Sequence, residues 1–140
     1  MSKVAVVYWS GTGNTEAMAK AVAEGITGKG GEAALLTASE FNADAMDTYD
    51  AVAFGCPSMG DEILEENEFQ PMFDNCKAKL KDKKIALFGS YGWGDGEWMR
   101  NWAAECENDG ADMACDYVIC NDYPDDSAVE ECKNLGAALV

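Results

Sequence analysis

The chain predicts an α/β fold, a single doubly wound five-stranded parallel sheet with helices on both faces. Three observations carry this. Short apolar runs alternate with segments of helical periodicity from one end of the chain to the other. The runs are apolar almost throughout rather than at every second residue, the pattern of strands covered on both faces. A loop of glycines and hydroxyls, Ser10-Gly11-Thr12-Gly13-Asn14-Thr15, stands between the first run and the first helical segment, where open α/β sheets take ligands.

The first strand is expected over Val4–Tyr8. The helix after it shows Met18, Val22 and Ile26 on one face, with Ala17 and Ala21 beside them, and Gly28 and Gly30 stop it. Ala33–Thr37 reads as the second strand, and Ala38–Asp50 has no clear period beyond a short helix around Ala43–Asp47. The third strand is Ala51–Gly55. Phe69, Met72, Phe73 and Cys76 then mark a second helix whose first turn accommodates Pro71. Ile85–Gly89 is the fourth strand, and Trp98, Met99, Trp102 and Cys106 mark a third helix that ends near Gly110. The fifth strand, Met113–Cys120, is interrupted by Asp116, which suits the edge of a sheet. Ala128, Cys132, Leu135 and Leu139 mark the last helix, opened by Pro124-Asp125-Asp126-Ser127 with acids placed for its dipole. No repeat, low-complexity tract or linker breaks the 140 residues, so one domain over 1–140 is expected.

Composition narrows the function. Ten Lys+Arg against 26 Asp+Glu leave a net charge of −16, which disfavours nucleic acid and anionic membranes and favours a basic protein partner; acidity that serves solubility alone is the other reading. With no histidine, the commonest general base and any histidine-ligated metal are missing. The six cysteines have no C-x-x-C spacing and read as reduced, mostly buried small hydrophobes, so no metal site is expected. No apolar run is long enough to span a membrane, and Met1-Ser2-Lys3-Val4 does not open a signal peptide, which predicts a cytoplasmic protein.

Chemistry concentrates in three loops. Ser10–Thr15 offers closely spaced backbone N–H groups and three hydroxyls at a helix start, with no lysine or arginine. That suits a phosphate held by hydrogen bonds and the helix dipole. The loop lacks the lysine of a nucleotide-hydrolysing phosphate loop, and Glu16 stands where a dinucleotide fingerprint needs its third glycine. Taken alone, such a turn is also an ordinary strand–helix connection. After the third strand, Met59-Gly60-Asp61-Glu62 reads as a tight turn of type II′, with glycine free to let the following peptide flip, or as an acidic surface turn. After the fourth strand, Gly89-Ser90-Tyr91-Gly92-Trp93-Gly94-Asp95-Gly96 alternates glycines with large aromatics, so backbone can approach a ligand while rings supply flat surface.

Together these loops resemble the short-chain flavodoxins of anaerobic bacteria, over the whole chain. The resemblance implies the sheet order 2-1-3-4-5 and FMN as cofactor. It places the phosphate in the loop formed by Ser10, Gly11, Thr12, Gly13, Asn14 and Thr15, with Trp9 adjoining. It stacks Trp93 on one face of the isoalloxazine and Met59 on the other, with Ser58, Asp61, Ser90, Tyr91 and Gly94 in the same loops. Glu62 would accept a hydrogen bond from flavin N3, the Gly60 carbonyl would turn toward N5 once it is protonated, Gly92 would meet the pyrimidine edge, and Asn121 the ribityl chain. The implied function is a monomeric, low-potential one-electron carrier shuttling mainly between semiquinone and hydroquinone. It would serve basic or complementary redox proteins: reductases, electron-accepting enzymes and ferredoxin-type partners. The alternative is an FMN-dependent reductase of quinones or other small molecules, which would need a substrate pocket built by insertions or a dimer. Two features depart from the pattern: Cys56-Pro57, where proline stiffens the loop, and the number of cysteines.

Overall fold

In the computed structural model, which describes residues 2–140, the first apolar run becomes β1 (Lys3–Tyr8), buried from Val4 onward. It pairs in parallel with β2 (Glu32–Thr37) on one side and β3 (Ala51–Gly55) on the other. β3 pairs with β4 (Lys84–Tyr91), again in parallel. The order β2-β1-β3-β4-β5 is the one the resemblance implied. The five-strand expectation changes in one place. The last position is shared by two short strands, β5 (Asp112–Met113) and β6 (Val118–Asn121), both parallel to β4. Asp116 lies in the break between them. An edge position explains why a break is tolerated, since only one ladder is interrupted.

Alternate residues of each strand feed two separate cores. Val4, Val6 and Tyr8 of β1 and Ala86 and Phe88 of β4 pack with Met18, Val22 and Ile26 of α1 (Asn14–Gly28) and Cys132, Leu135 and Leu139 at α4 (Asp126–Ala138). Ala5, Val7, Ile85 and Leu87 face the other way, onto α2 (Phe69–Cys76) and α3 (Glu97–Asn108). There Trp102 meets Phe69 and Phe73 edge-on, with ring centroids 5.4 and 5.6 Å apart. The central strands β1, β3 and β4 are therefore apolar on both faces, which is why their sequences read as continuous runs.

The ambiguous stretch holds two short 3₁₀ turns, Ala38–Glu40 and Asp44–Thr48. The first is closed by a capping box between Thr37 and Glu40. Lys83 reaches the second from far along the chain, donating to the carbonyls of Met46 (2.7 Å) and Tyr49. Turns this short leave no helical period in the sequence.

α1 and α4 approach backbone to backbone. A methyl at Gly136 would stand 2.1 Å from the Val22 carbonyl oxygen, and one at Gly25 would stand 2.0 Å from that of Lys133. Gly136→Ala is expected to lower stability by about 1–3 kcal/mol through overpacking, read as a lower denaturant midpoint at unchanged slope. Gly28→Ala, in open space at the end of α1, is the neutral control.

Candidate functional site

The carboxyl ends of β1, β3, β4 and β6 deliver their loops to one edge of the sheet. The loop after β1 turns into α1 through Gly13, left-handed at φ 94° and without a side-chain cap. Ser10 Oγ takes the place of a cap, accepting from the amides of Gly13 (3.1 Å) and Glu16 (3.3 Å). Among the described residues, the amides of Thr12, Asn14 and Thr15 are left without a protein acceptor. Unpaired N–H groups at the positive end of a helix make an anion cradle, and here no cation helps.

The loop after β3 first continues the ladder: Cys56 donates to the Phe88 carbonyl (3.1 Å) and Ser58 to that of Ser90 (3.0 Å). Met59 and Ile63 then pair antiparallel, each amide donating to the other's carbonyl at 2.8 and 3.0 Å. The closing bonds come from Ile63, one residue beyond Glu62, so the hairpin loop has three residues instead of the two of a type II′ turn. Gly60 is left-handed at φ 50° as that turn type requires, and Glu62 is left-handed as well, at φ 58°. Glu62 earns this conformation through its side chain, which accepts from the Glu97 amide at the start of α3 (3.1 Å). The tip, Gly60-Asp61, makes no hydrogen bond among the described residues, so its peptide is free to reorient.

Behind the hairpin lies Glu65, a carboxylate only 5% exposed. It accepts from the amides of Asn67 (2.8 Å), Glu68 (2.7 Å) and Phe69 (2.8 Å), capping α2 from outside, and its own amide donates to Cys56 Sγ (3.3 Å). Burial works against the charge, but the three N–H groups outweigh it and hold the carboxyl below its ordinary value.

Ser90, near the end of β4, ties the loops together. Its amide donates to Thr15 Oγ1 (3.4 Å), its carbonyl accepts from Ser58, and its hydroxyl donates to the Asp122 carbonyl (2.5 Å). Asp122 is left-handed at φ 58° and its amide donates to the Tyr91 carbonyl (2.9 Å). The loop beyond Tyr91 leans on the hairpin: a methyl on Gly94 would stand 2.6 Å from the Glu62 carboxyl carbon. Trp93 in that loop is 61% exposed.

These elements enclose a cleft of about 320 Å³. Of the predicted residues it brings together Trp9, Gly11, Thr12, Asn14, Ser58, Met59, Ser90, Tyr91 and Gly92. Ser10 and Gly13 line an adjoining polar recess with Tyr8 and Glu16, and Thr15 is buried against Ser90. Gly60, Asp61, Glu62, Trp93 and Gly94 lie outside the cleft lining, on the hairpin and the loop it touches. Asn121 lines a separate dent with Cys120 and Tyr123, its side-chain Nδ2 donating to the Tyr91 carbonyl (3.3 Å). Two lining residues were not among the predicted contacts, Pro57 and Asp122, and Asp122 brings the cleft's one carboxylate. Its signal in the sequence is slight: an aspartate just past a strand end, a residue type that tolerates left-handed backbone. The walls formed by Trp9, Met59 and Tyr91 are apolar, the anion cradle lies at one end, and the free Gly60 peptide hangs beyond Met59. That arrangement takes a flat ring carrying a phosphate tail.

All six cysteines are free; Cys56, Cys76, Cys106 and Cys132 are buried, and burial pushes the thiols of Cys106 and Cys132 up to about 12. Among the described residues no group of three potential ligands gathers around a metal site, and no helix is long and apolar enough to cross a membrane.

The family model described as flavodoxin matches residues 6–136. A flavodoxin of Clostridium beijerinckii is 43% identical over 134 residues, covering 96% of each chain, and one of Megasphaera elsdenii is 43% identical over 135 residues, again covering 96% of each. The solution structure of the two-electron reduced Megasphaera elsdenii flavodoxin superposes with a TM-score of 0.90 over 97% of both chains.

The lowered Glu65 carboxyl has a pH signature. Its charged form contributes stability that is fully present above the unfolded-state value of about 4.3 and is lost as pH falls through the lower folded value. Urea melts should therefore show Glu65→Gln less stable than the parent at pH 7 by about 1–2 kcal/mol, with the gap narrowing as pH drops below about 4.

Proposed function

The chain belongs to the flavodoxin family, electron carriers with FMN as cofactor and not enzymes, and on that premise we propose that it moves single electrons at low potential between protein partners. The observation that supports the reading is the continuity of the cleft, from a cation-free anion cradle at α1, along Trp9 and Tyr91, to Met59 and the unpaired Gly60 peptide. FMN supplies the reversible one-electron chemistry when bound. The rest is the work of the chain, with residues 1–140 acting as one cofactor-binding unit.

The amides of Thr12, Asn14 and Thr15, with the hydroxyls of Ser10 and Thr12, would hold the phosphate. Met59 and Tyr91 would exclude water from the ring, and Trp93 would close over its outer face. The Gly60 carbonyl would accept a hydrogen bond from flavin N5 only when that atom carries a proton. At a net worth of about 1–1.5 kcal/mol, the bond would move a one-electron potential by about 45–65 mV. Asp61, Glu62, Asp95 and Asp122 lie in the loops at the same edge, in a chain of net charge −16, and their field disfavours the negative charge that the second electron would add. The working range is therefore the lower of the two steps, between the half-reduced and fully reduced cofactor. The same acids suit a basic docking face, whether on reductases, on electron-accepting enzymes or on ferredoxin-type partners, with encounter weakening as salt rises. In this reading the carrier diffuses as a monomer in the cytoplasm.

An anaerobic spectroscopic titration of the FMN-loaded protein tests this. Two separated one-electron waves are expected, the second at low potential; a single two-electron wave, or turnover of NAD(P)H with a quinone by the protein alone, would overturn the carrier reading. Trp93→Ala is expected to weaken FMN binding about three- to tenfold, measured by fluorescence quenching of free flavin.

A further inference from the structure

We propose that Glu65 is a positioning residue for the Gly60 peptide: it fixes the base of the 56–65 excursion, so the tip can reorient while the rest of the hairpin stays in place. The inference rests on the reading that the Gly60 peptide faces the cofactor.

The two ends of the excursion meet at one junction, where the Glu65 amide donates to Cys56 Sγ. Cys56 is immobilised from two further directions: its amide donates to the Phe88 carbonyl, and its own carbonyl accepts from Trp98 Nε1 (3.2 Å). Glu65 is immobilised by its carboxylate, which engages three successive amides of α2 and its approach with both oxygens. The helix itself rests in the α2–α3 core through Phe69 and Phe73, so the clamp is anchored in the body of the protein. α2 has no side-chain cap from its own N-cap residue, Glu68. The cap comes instead from the residue that closes the hairpin, which couples the two structures. Above the junction, Met59 and Ile63 pair, the Glu62 carboxylate accepts from the Glu97 amide, and the Gly60-Asp61 tip between them makes no hydrogen bond among the described residues. Motion is thereby confined to the Gly60-Asp61 peptide. With a loose base, the same contact would require ordering the whole hairpin, and part of its free energy would go into that ordering.

A purely electrostatic role for Glu65 predicts a change in the other step, which makes the test decisive. The first electron arrives with a proton and adds no net charge, so removing a nearby negative charge should raise the second one-electron potential and leave the first nearly unchanged, whereas loosening the clamp should lower the first. In FMN-loaded Glu65→Gln, where the amide NH₂ replaces an acceptor of backbone N–H, amide hydrogen exchange at Met59 and Ile63 is expected to quicken at least tenfold, with β3 and β4 unchanged. The half-reduced to oxidised ratio at fixed potential is expected to fall about threefold, about 28 mV at 59 mV per tenfold. Cys56→Ala, which removes the other half of the junction and keeps the α2 cap, should act in the same direction and carries the test if Glu65→Gln does not fold. In a Gly60→Ala background the shift should vanish. A raised or unchanged first potential in Glu65→Gln, unchanged Met59 and Ile63 exchange, or a shift that persists undiminished beside Gly60→Ala would overturn the proposal. An unchanged first potential in Gly60→Ala alone would instead overturn the reading beneath it, and the proposal with it.

Discussion

Every wall of the cleft is referenced to Ser90. One buried residue of β4 bonds the start of α1 through its amide, the β3 loop through its carbonyl and the β6 loop through its hydroxyl. Such bonds are individually modest, but leaving any of these buried groups unpaired would be costly, so the three loops settle together. The topology makes the arrangement available. In a parallel sheet wound both ways, the carboxyl ends of β1, β3 and β4 lie side by side, and β4 sits between β3 and the split edge strand. The separation of the anion cradle from Met59 thus follows from strand spacing and needs no long insertion.

Against this rigid floor, the Gly60-Asp61 tip of the hairpin makes no hydrogen bond among the described residues. Rigidity below and freedom at a single peptide are complementary requirements: a switchable contact contributes its full free energy only if nothing else has to be ordered when it forms. The left-handed Glu62 belongs to the rigid part, since its carboxylate links the hairpin to the first turn of α3 and to the Gly94 loop. That contact uses one carboxylate oxygen, Oε1, and makes the acid a brace between the two loops that border the cleft.

What was legible in the sequence was what local chemistry determines. β3 and the face of each helix were readable because burial on both sides of the sheet forces continuous apolar runs, and because Met18, Val22 and Ile26 or Trp98, Met99 and Trp102 repeat at the helical period. The split of the last strand was visible only as an awkward Asp116, since edge pairing leaves β5 and β6 free to separate. The turn at Asp44–Thr48 depends on Lys83, more than thirty residues away, and no local pattern encodes that. The cradle loop was readable because glycine and hydroxyl spacing states its chemistry directly. Asp122 was not, because its place in the cleft comes from a bond to Ser90 across the sheet edge. The capping of α2 by Glu65 was hidden for the same reason: a glutamate ahead of a helix is commonplace, and only the fold shows it buried and bonded to Cys56.

The missing cation in the cradle gains meaning from where the cations are. Lys3 and Lys84 begin β1 and β4, Lys81 and Lys83 just precede β4, and Lys77 and Lys79 lie in the turn before that, all toward the amino edge of the sheet. Arg100, in the first turn of α3, is paired with Asp95. The opposite edge holds the cleft and the amino ends of the helices, while acids lie at both edges: Asp47 pairs with Lys79, and Glu105 and Asp109 with Lys77, at the amino edge. The helix dipoles and amides supply only partial positive charge, enough to bind an anion locally but not to cancel it. A phosphate held there would add its charge to that of the acids around the cleft. The choice of backbone over lysine in this single loop would therefore leave the bound anion's charge close to the ring, where it opposes the charge that a second electron adds.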